Sequence, residues 1–158
     1  MTHLTARGAV VCGVDASGAA RAAIRVAGRL AESLDLRLVL VHAGRELALR
    51  HPPPIGVEYP EEDLRAVRDD AAAAGRALLD DQARASGVRD YEALVELGPP
   101  SQIVLDAARD AQAEMIVVGT RRLGVIASAL VGSVSGDVLS HADCPVVVVP
   151  GDCADHVS

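Results

Sequence analysis

The sequence predicts an α/β fold: a doubly wound, five-stranded parallel sheet with helices on both faces. Two observations carry this. Short apolar runs of strand length alternate along the chain with stretches whose apolar residues recur at helical spacing, and such alternation calls for parallel strands joined by right-handed crossovers. The chain has 158 residues, which suits one domain able to bury its own core without metal or disulfide support.

The elements follow in order. Ala9-Val-Val-Cys-Gly-Val14 is a short apolar run ending at Asp15. Ser17 then precedes an apolar face of Ala20, Ala23, Ile24, Ala27, Leu30 and Ala31, the pattern of a capped helix. Leu36 to His42 is a second strand. Ala43 to Pro60 holds Pro52, Pro53, Pro54 and Pro60, so it reads as the longest loop, with His51 at its centre. Glu61 to Ser86 is a long amphipathic helix with Leu64, Val67, Ala71, Ala74, Leu78 and Leu79 on one stripe and Gly87 as its stop. Tyr91 to Glu96 alternates as a strand nearer an edge. Gly98-Pro99-Pro100 turns into a third helix from about Ser101 to Ala111. Met115 to Val118 is the fourth strand, Gly132 to His141 the fourth helix and Pro145 to Val149 the fifth strand. We expect a single domain over residues 1–150 and a loose tail over 151–158.

Composition narrows the function. Hydrophobic residues make up 50% of the chain, yet Phe and Trp are absent and Tyr59 and Tyr91 are the two tyrosines. The core must therefore be Val, Leu, Ile and Ala, whose small side chains imply close helix-to-sheet spacing. A formal net charge of -7, with all 15 basic residues arginine, argues against a nucleic-acid partner. Cys12, Cys144 and Cys153 form no CxxC pair and leave an odd thiol, which favours a reducing compartment. No apolar run reaches membrane-spanning length and the first residues lack a signal-peptide core, so a soluble cytoplasmic protein is expected.

The segment from Met115 to Ser135 carries the most chemistry, because it joins an apolar strand to a helix through Gly119, Gly132 and paired hydroxyls. It reads as a phosphate cradle. Gly119 either admits a ligand or simply ends a strand. Gly132 and Ser133 open a helix whose unbonded N–H groups and positive dipole end suit an anion, although Ser133 and Ser135 could also be ordinary caps. Arg121 and Arg122, the one adjacent arginine pair, have forks that suit phosphate oxygens or are solvated surface. In a doubly wound sheet the ligand site lies beyond the carboxyl ends of the strands where the winding reverses. If the strand order is 3-2-1-4-5, that point falls between the first and fourth strands, which carry Asp15 and Gly119 at their carboxyl ends. Asp15 is either an N-cap or a contact to ribose hydroxyls, a base edge or a divalent cation.

His42 and His141 lack the carboxylate or cysteine spacing of a metal site. No P-loop, GxGxxG fingerprint, Gly-x-Ser-x-Gly elbow or HExxH motif is present. No catalytic residue is assigned, and the machinery of a conventional enzyme is not visible in the sequence.

Three segments together resemble the universal stress protein family over Val10 to Pro150. Val14-Asp-Ala-Ser17 is similar to its Val-Asp-Gly-Ser turn, Met115 to Ser135 to its Gly-x2-Gly-x9-Gly-[Ser/Thr] signature, and His141-Ala-Asp-Cys-Pro-Val-Val-Val-Val149 to its closing His-Ala-x-Cys-Pro-Val strand. The resemblance implies the Rossmann-like fold of the adenine nucleotide alpha-hydrolase type with order 3-2-1-4-5. It also implies a stress-response role, a homodimer paired through Pro145 to Val149, and ATP, with or without Mg²⁺, in the crevice. Gly13, Asp15 and Ala43 would then lie by base and ribose. Val118, Gly119, Thr120, Arg121 and Arg122 would wrap the nucleotide, and Gly132, Ser133, Val134 and Ser135 would hold the phosphates. The chain departs from the signature where Gly119-Thr-Arg-Arg122 replaces Gly-x-x-Gly. Arg122 either closes the site, leaving a nucleotide-free dimeric interaction module, or places its guanidinium on the phosphates.

Overall fold

The structure is a computed structural model that describes residues 8–44, 55, 56, 58, 60–120 and 132–151. Strands and helices alternate: β1 (Ala9–Gly13), α1 (Gly18–Leu34), β2 (Arg37–Gly44), α2 (Glu61–Ala85), β3 (Glu92–Leu97), α3 (Pro100–Asp110), β4 (Ala113–Thr120), α4 (Ser133–His141) and β5 (Val146–Pro150). The five strands form one sheet in the order β3-β2-β1-β4-β5. All four neighbouring pairs are parallel.

Alternate residues of the central strands feed two separate cores, as the two-residue period of a strand requires. Val10, Cys12, Leu38, Leu40 and Val117 pack with α1 and α2 on one face. Val11, Val39, Val41, Ile116 and Val118 pack with α3 on the other, where Val138 of α4 joins them. Burial of large aliphatic side chains such as Ile24, Leu40 and Ile116, all 0% exposed, stabilises the fold by about 1.5–3 kcal/mol each.

The expected elements are present, with shifted ends. β2 runs on to Gly44 because its backbone pairs with Leu97 of β3, and β4 runs on to Thr120 because Gly119 and Thr120 pair with Val149 and Pro150. These long-range ladders extend each strand past its apolar run. α3 begins one residue earlier than expected, at Pro100, where proline's missing N–H costs nothing and its fixed φ suits the first helical turn. Gly87 follows the α2 C-cap at φ +74°, the left-handed conformation that favours glycine after a helix.

The α2 stripe is the largest revision. Ala74 is exposed, while Gly75, Leu79, Gln82 and Ala83 are buried. A Cβ on Gly75 would lie 2.5 Å from Val95 Cγ1 and 3.0 Å from His42 Cδ2. The helix thus turns its smallest residue to β2 and β3 and lies close to them. Near its end, the Tyr91 hydroxyl donates to Asp80 Oδ1 at 2.6 Å and ties α2 to the start of β3.

Candidate functional site

The winding reverses between β1 and β4, which are direct neighbours, with Gly13 opposite Val118. α4 returns from the end of β4 toward the start of β5, so its N-terminus lies at the carboxyl end of the sheet. The topology therefore gathers the β1–α1 turn, the end of β4 and the start of α4. Ala43 lies on β2, the other neighbour of β1. Arg121 and Arg122 lie outside the described residues, as does Gly124.

The β1–α1 wall is held by its own hydrogen bonds. Ser17 is the α1 N-cap, its hydroxyl accepting from the Ala20 amide at 3.3 Å. Asp15 does not cap the helix. Its carboxylate accepts from the Ser17 amide at 2.8 Å and from the Ser17 hydroxyl, an Asx-type turn that leaves the residue exposed at the crevice. Three carbonyls of this irregular stretch are then met by side chains from elsewhere. His42 Nδ1 donates to the Val14 carbonyl at 2.8 Å, so that ring nitrogen carries the hydrogen. Gln82 Nε2 donates to the Asp15 carbonyl at 2.9 Å and to the Ser17 carbonyl at 3.4 Å. Gln82 Oε1 in turn accepts from Arg21 Nε at 2.8 Å.

Gln82 was missed by sequence reading. Its signal was available: a polar residue in helical register with Leu79 and Ala83, on a face otherwise apolar. His42 was weighed as a metal ligand alone, whereas the structure uses it to hold the turn. Among the described residues no three His, Cys, Asp or Glu side chains gather into a metal-ligating group.

At the end of β4 the structure assigns Gly119 a reason that sequence reading did not offer. A Cβ there would lie 2.6 Å from the Ala19 carbonyl oxygen and 2.8 Å from its carbon. Backbone cannot swing aside as a flexible side chain can, so this glycine is demanded by the first turn of α1 lying on β4. Val118, 3% exposed, belongs to the core on the α3 side, which leaves its backbone as the part near the crevice. Thr120, the last residue of β4, is 5% exposed. Gly13 is half-buried, with Val104 Cγ2 3.1 Å from the position of a Cβ.

The α4 wall is built differently. Gly132 is the N-cap at φ −62° and ψ 166°, a conformation open to any residue. Its nearest described neighbour, at 3.5 Å from a Cβ, is Ser135 Oγ, an ordinary contact. Having no side chain, Gly132 cannot accept from the first-turn amides, which have no intrahelical partner. The first helical bond is that of the Gly136 amide to the Gly132 carbonyl, 2.8 Å. Ser135 is buried and its hydroxyl donates to the same carbonyl at 3.2 Å, so it caps no amide. Val134 packs on the core and Ser133 is exposed. Backbone N–H groups and the positive end of the helix dipole thus face the same end of the sheet as Asp15.

Cys12 lies directly beneath, one residue before Gly13. Burial pushes its thiol up to about 12, so it is a neutral packing group without thiolate reactivity.

Known proteins are similar to this chain. The model of the "Universal stress protein family" matches residues 7–150. A universal stress protein from Thermus aquaticus is 34% identical over 142 residues, covering 89% of this chain and 96% of that protein. Another, from Bacillus subtilis (strain 168), is 29% identical over 140 residues, covering 86% of this chain and 94% of that protein. A universal stress protein solved in complex with cAMP superposes with a TM-score of 0.58 at 26% identity, over 93% of this chain and 99% of that one. With the strand order, the crevice and the family match in agreement, the chain belongs to the universal stress protein family.

Proposed function

We propose that this protein binds ATP or a related adenine nucleotide in the β1/β4 crevice and acts in the cytoplasm as a stress-response regulatory module. The observation that carries the proposal is Gly132. Among the described residues nothing in the fold needs a glycine there, since its φ is ordinary and a Cβ would make no more than an ordinary contact with Ser135 Oγ. Yet it stands at the N-terminus of a helix at the switch point, where a phosphate would need close backbone approach. The residues fit such a ligand. Asp15 and Ala43 would face ribose and base, the backbones of Val118, Gly119 and Thr120 would line the middle, and the amides of Ser133, Val134 and Ser135 would hold phosphate oxygens. Arg121 and Arg122 would add cationic contacts. A bound nucleotide would supply a regulatory signal rather than a reactive group. The related protein bound to cAMP supports an adenine nucleotide over other anions.

Isothermal titration with ATP and Mg²⁺ tests this, with saturable heat expected at millimolar nucleotide or below. Absence of heat from folded protein would sink it. Mass analysis of whatever small molecule leaves the protein on denaturation gives the phosphate count.

One sequence feature favours a second reading. Arg122 occupies the signature's second glycine, and a blocked site would leave a nucleotide-free interaction module. Arg122→Gly separates the two: a gain of affinity supports the blocked site, and a loss supports an arginine on the phosphates.

We also propose that β5 pairs with a second copy of the chain. It lies at the sheet edge and keeps Val146, Val147 and Val148 partly exposed, an uncharged apolar edge that pairing would cover. Light scattering at micromolar concentration is expected to give a dimer, and a monomer would refute the arrangement.

A further inference from the structure

Gln82 is one of three buried polar side chains among the described residues, at 4% exposure, with Thr120 and Ser135. It sits on the buried face of α2, where an aliphatic residue would add to the core without an amide to satisfy. Every polar group of its side chain is engaged. The carbonyl oxygen accepts from Arg21 Nε, and the amino group reaches the Asp15 and Ser17 carbonyls on either side of the turn's midpoint. Those two residues are themselves joined through the Asp15 carboxylate, so clamping both carbonyls sets the direction in which that carboxylate can point. Gly75 makes the reach possible. It lies seven residues earlier on the same face and lets α2 approach β2 and β3.

We infer that Gln82, oriented by Arg21, is a positioning residue that aims the Asp15 turn at the nucleoside end of the ligand, and that it makes no contact with the phosphates. The inference rests on the nucleotide reading above. It assigns to α2, which contributes no residue to the family signature, control over how well base and ribose are held.

The test uses the full chain with Gln82→Glu. The new carboxylate keeps an acceptor for Arg21 but replaces the amino donor with an acceptor facing two carbonyls. ATP affinity by titration calorimetry is expected to fall about tenfold, the order of one lost hydrogen bond, while inorganic tripolyphosphate binds within about twofold of the parent. Exchange of the Ser17 amide hydrogen, which closes the turn, is expected to quicken. Arg21→Ala, which keeps the amino donor but removes the clamp on Oε1, should shift ATP affinity and Ser17 exchange the same way by less, and it serves if Gln82→Glu fails to fold. Unchanged ATP affinity in a folded variant overturns the inference, as does an equal loss of ATP and tripolyphosphate, the mark of a merely structural role. A parent protein that binds no adenine nucleotide sinks the nucleotide reading instead. Ser17 exchange then decides whether Gln82 holds the turn, and an unchanged rate in Gln82→Glu overturns that too.

Discussion

Gly119 and Gly132 flank the segment with the strongest signature in the sequence, and they are glycines for opposite reasons. Gly119 touches its own protein: the Ala19 carbonyl lies where a Cβ would go. Gly132 has an ordinary φ, and a Cβ there would meet only an ordinary contact with Ser135 Oγ among the described residues. The same contrast extends to the two walls of the crevice. On the β1–α1 side, carbonyls and carboxylate are met by Ser17, His42 and Gln82. On the α4 side, the first-turn amides follow an N-cap without a side chain. Among the described residues, side chains of the fold hold the turn of one wall, while the other begins with amides that have no intrahelical acceptor.

Three measurements would break or sharpen this contrast. The largest effect concerns the floor of the completed wall. Because the Cys12 thiol is raised to about 12, the unfolded thiol ionises first. Stability from this group is therefore full below the ordinary thiol range of about 9 and lost as pH rises toward about 12, by something on the order of 4 kcal/mol. In Cys12→Ala, the alkaline slope of urea stability should flatten by that contribution, and an unaltered slope would mean the thiol reaches water. Next, Gly119→Ala should cost about 1–3 kcal/mol in urea unfolding, because the new methyl meets backbone. Wild-type stability would show that α1 can lift off β4, and Gly119 would revert to a ligand-driven glycine. The smallest effect on stability is expected from Gly132→Ser. Serine adopts the same φ and is a good N-cap, so unfolding should shift by no more than about 0.5 kcal/mol, yet ATP affinity should drop. A large loss of stability, or full affinity, would erase the distinction between the two glycines.

Much of the molecule was legible in the chain. The start of α1 after Ser17, the long α2 beginning at Glu61, the turn at Gly87 and the apolar strands are all written in local pattern, and the structure places them within a residue or two. The crevice was legible as well, since strand order 3-2-1-4-5 brings Asp15 and Gly119 to neighbouring strand ends. Less legible was why particular residues stand there. Asp15 could have been a cap, and only the hydrogen bonds of Ser17 decide otherwise. The α2 stripe included Ala74 and passed over Gly75 and Gln82, because a helical wheel ranks residues by hydrophobicity and cannot register that a sheet lies close enough to need a glycine or that a turn beyond it needs an amide.

The sequence by itself determined the alternation of elements, their stops, the two-faced burial of the sheet and the family. These follow from periodicity, backbone propensity and motif spacing, which act over a few residues at a time. Tertiary structure alone decided which strands were lengthened by their neighbours, that Gly119 serves the packing of α1, and that Gln82 and His42 reach across the fold to hold the turn bearing Asp15. Such choices depend on contacts between residues dozens of positions apart, with Asp15 and Gln82 separated by 67, and no local pattern in the chain encodes the distance at which they meet.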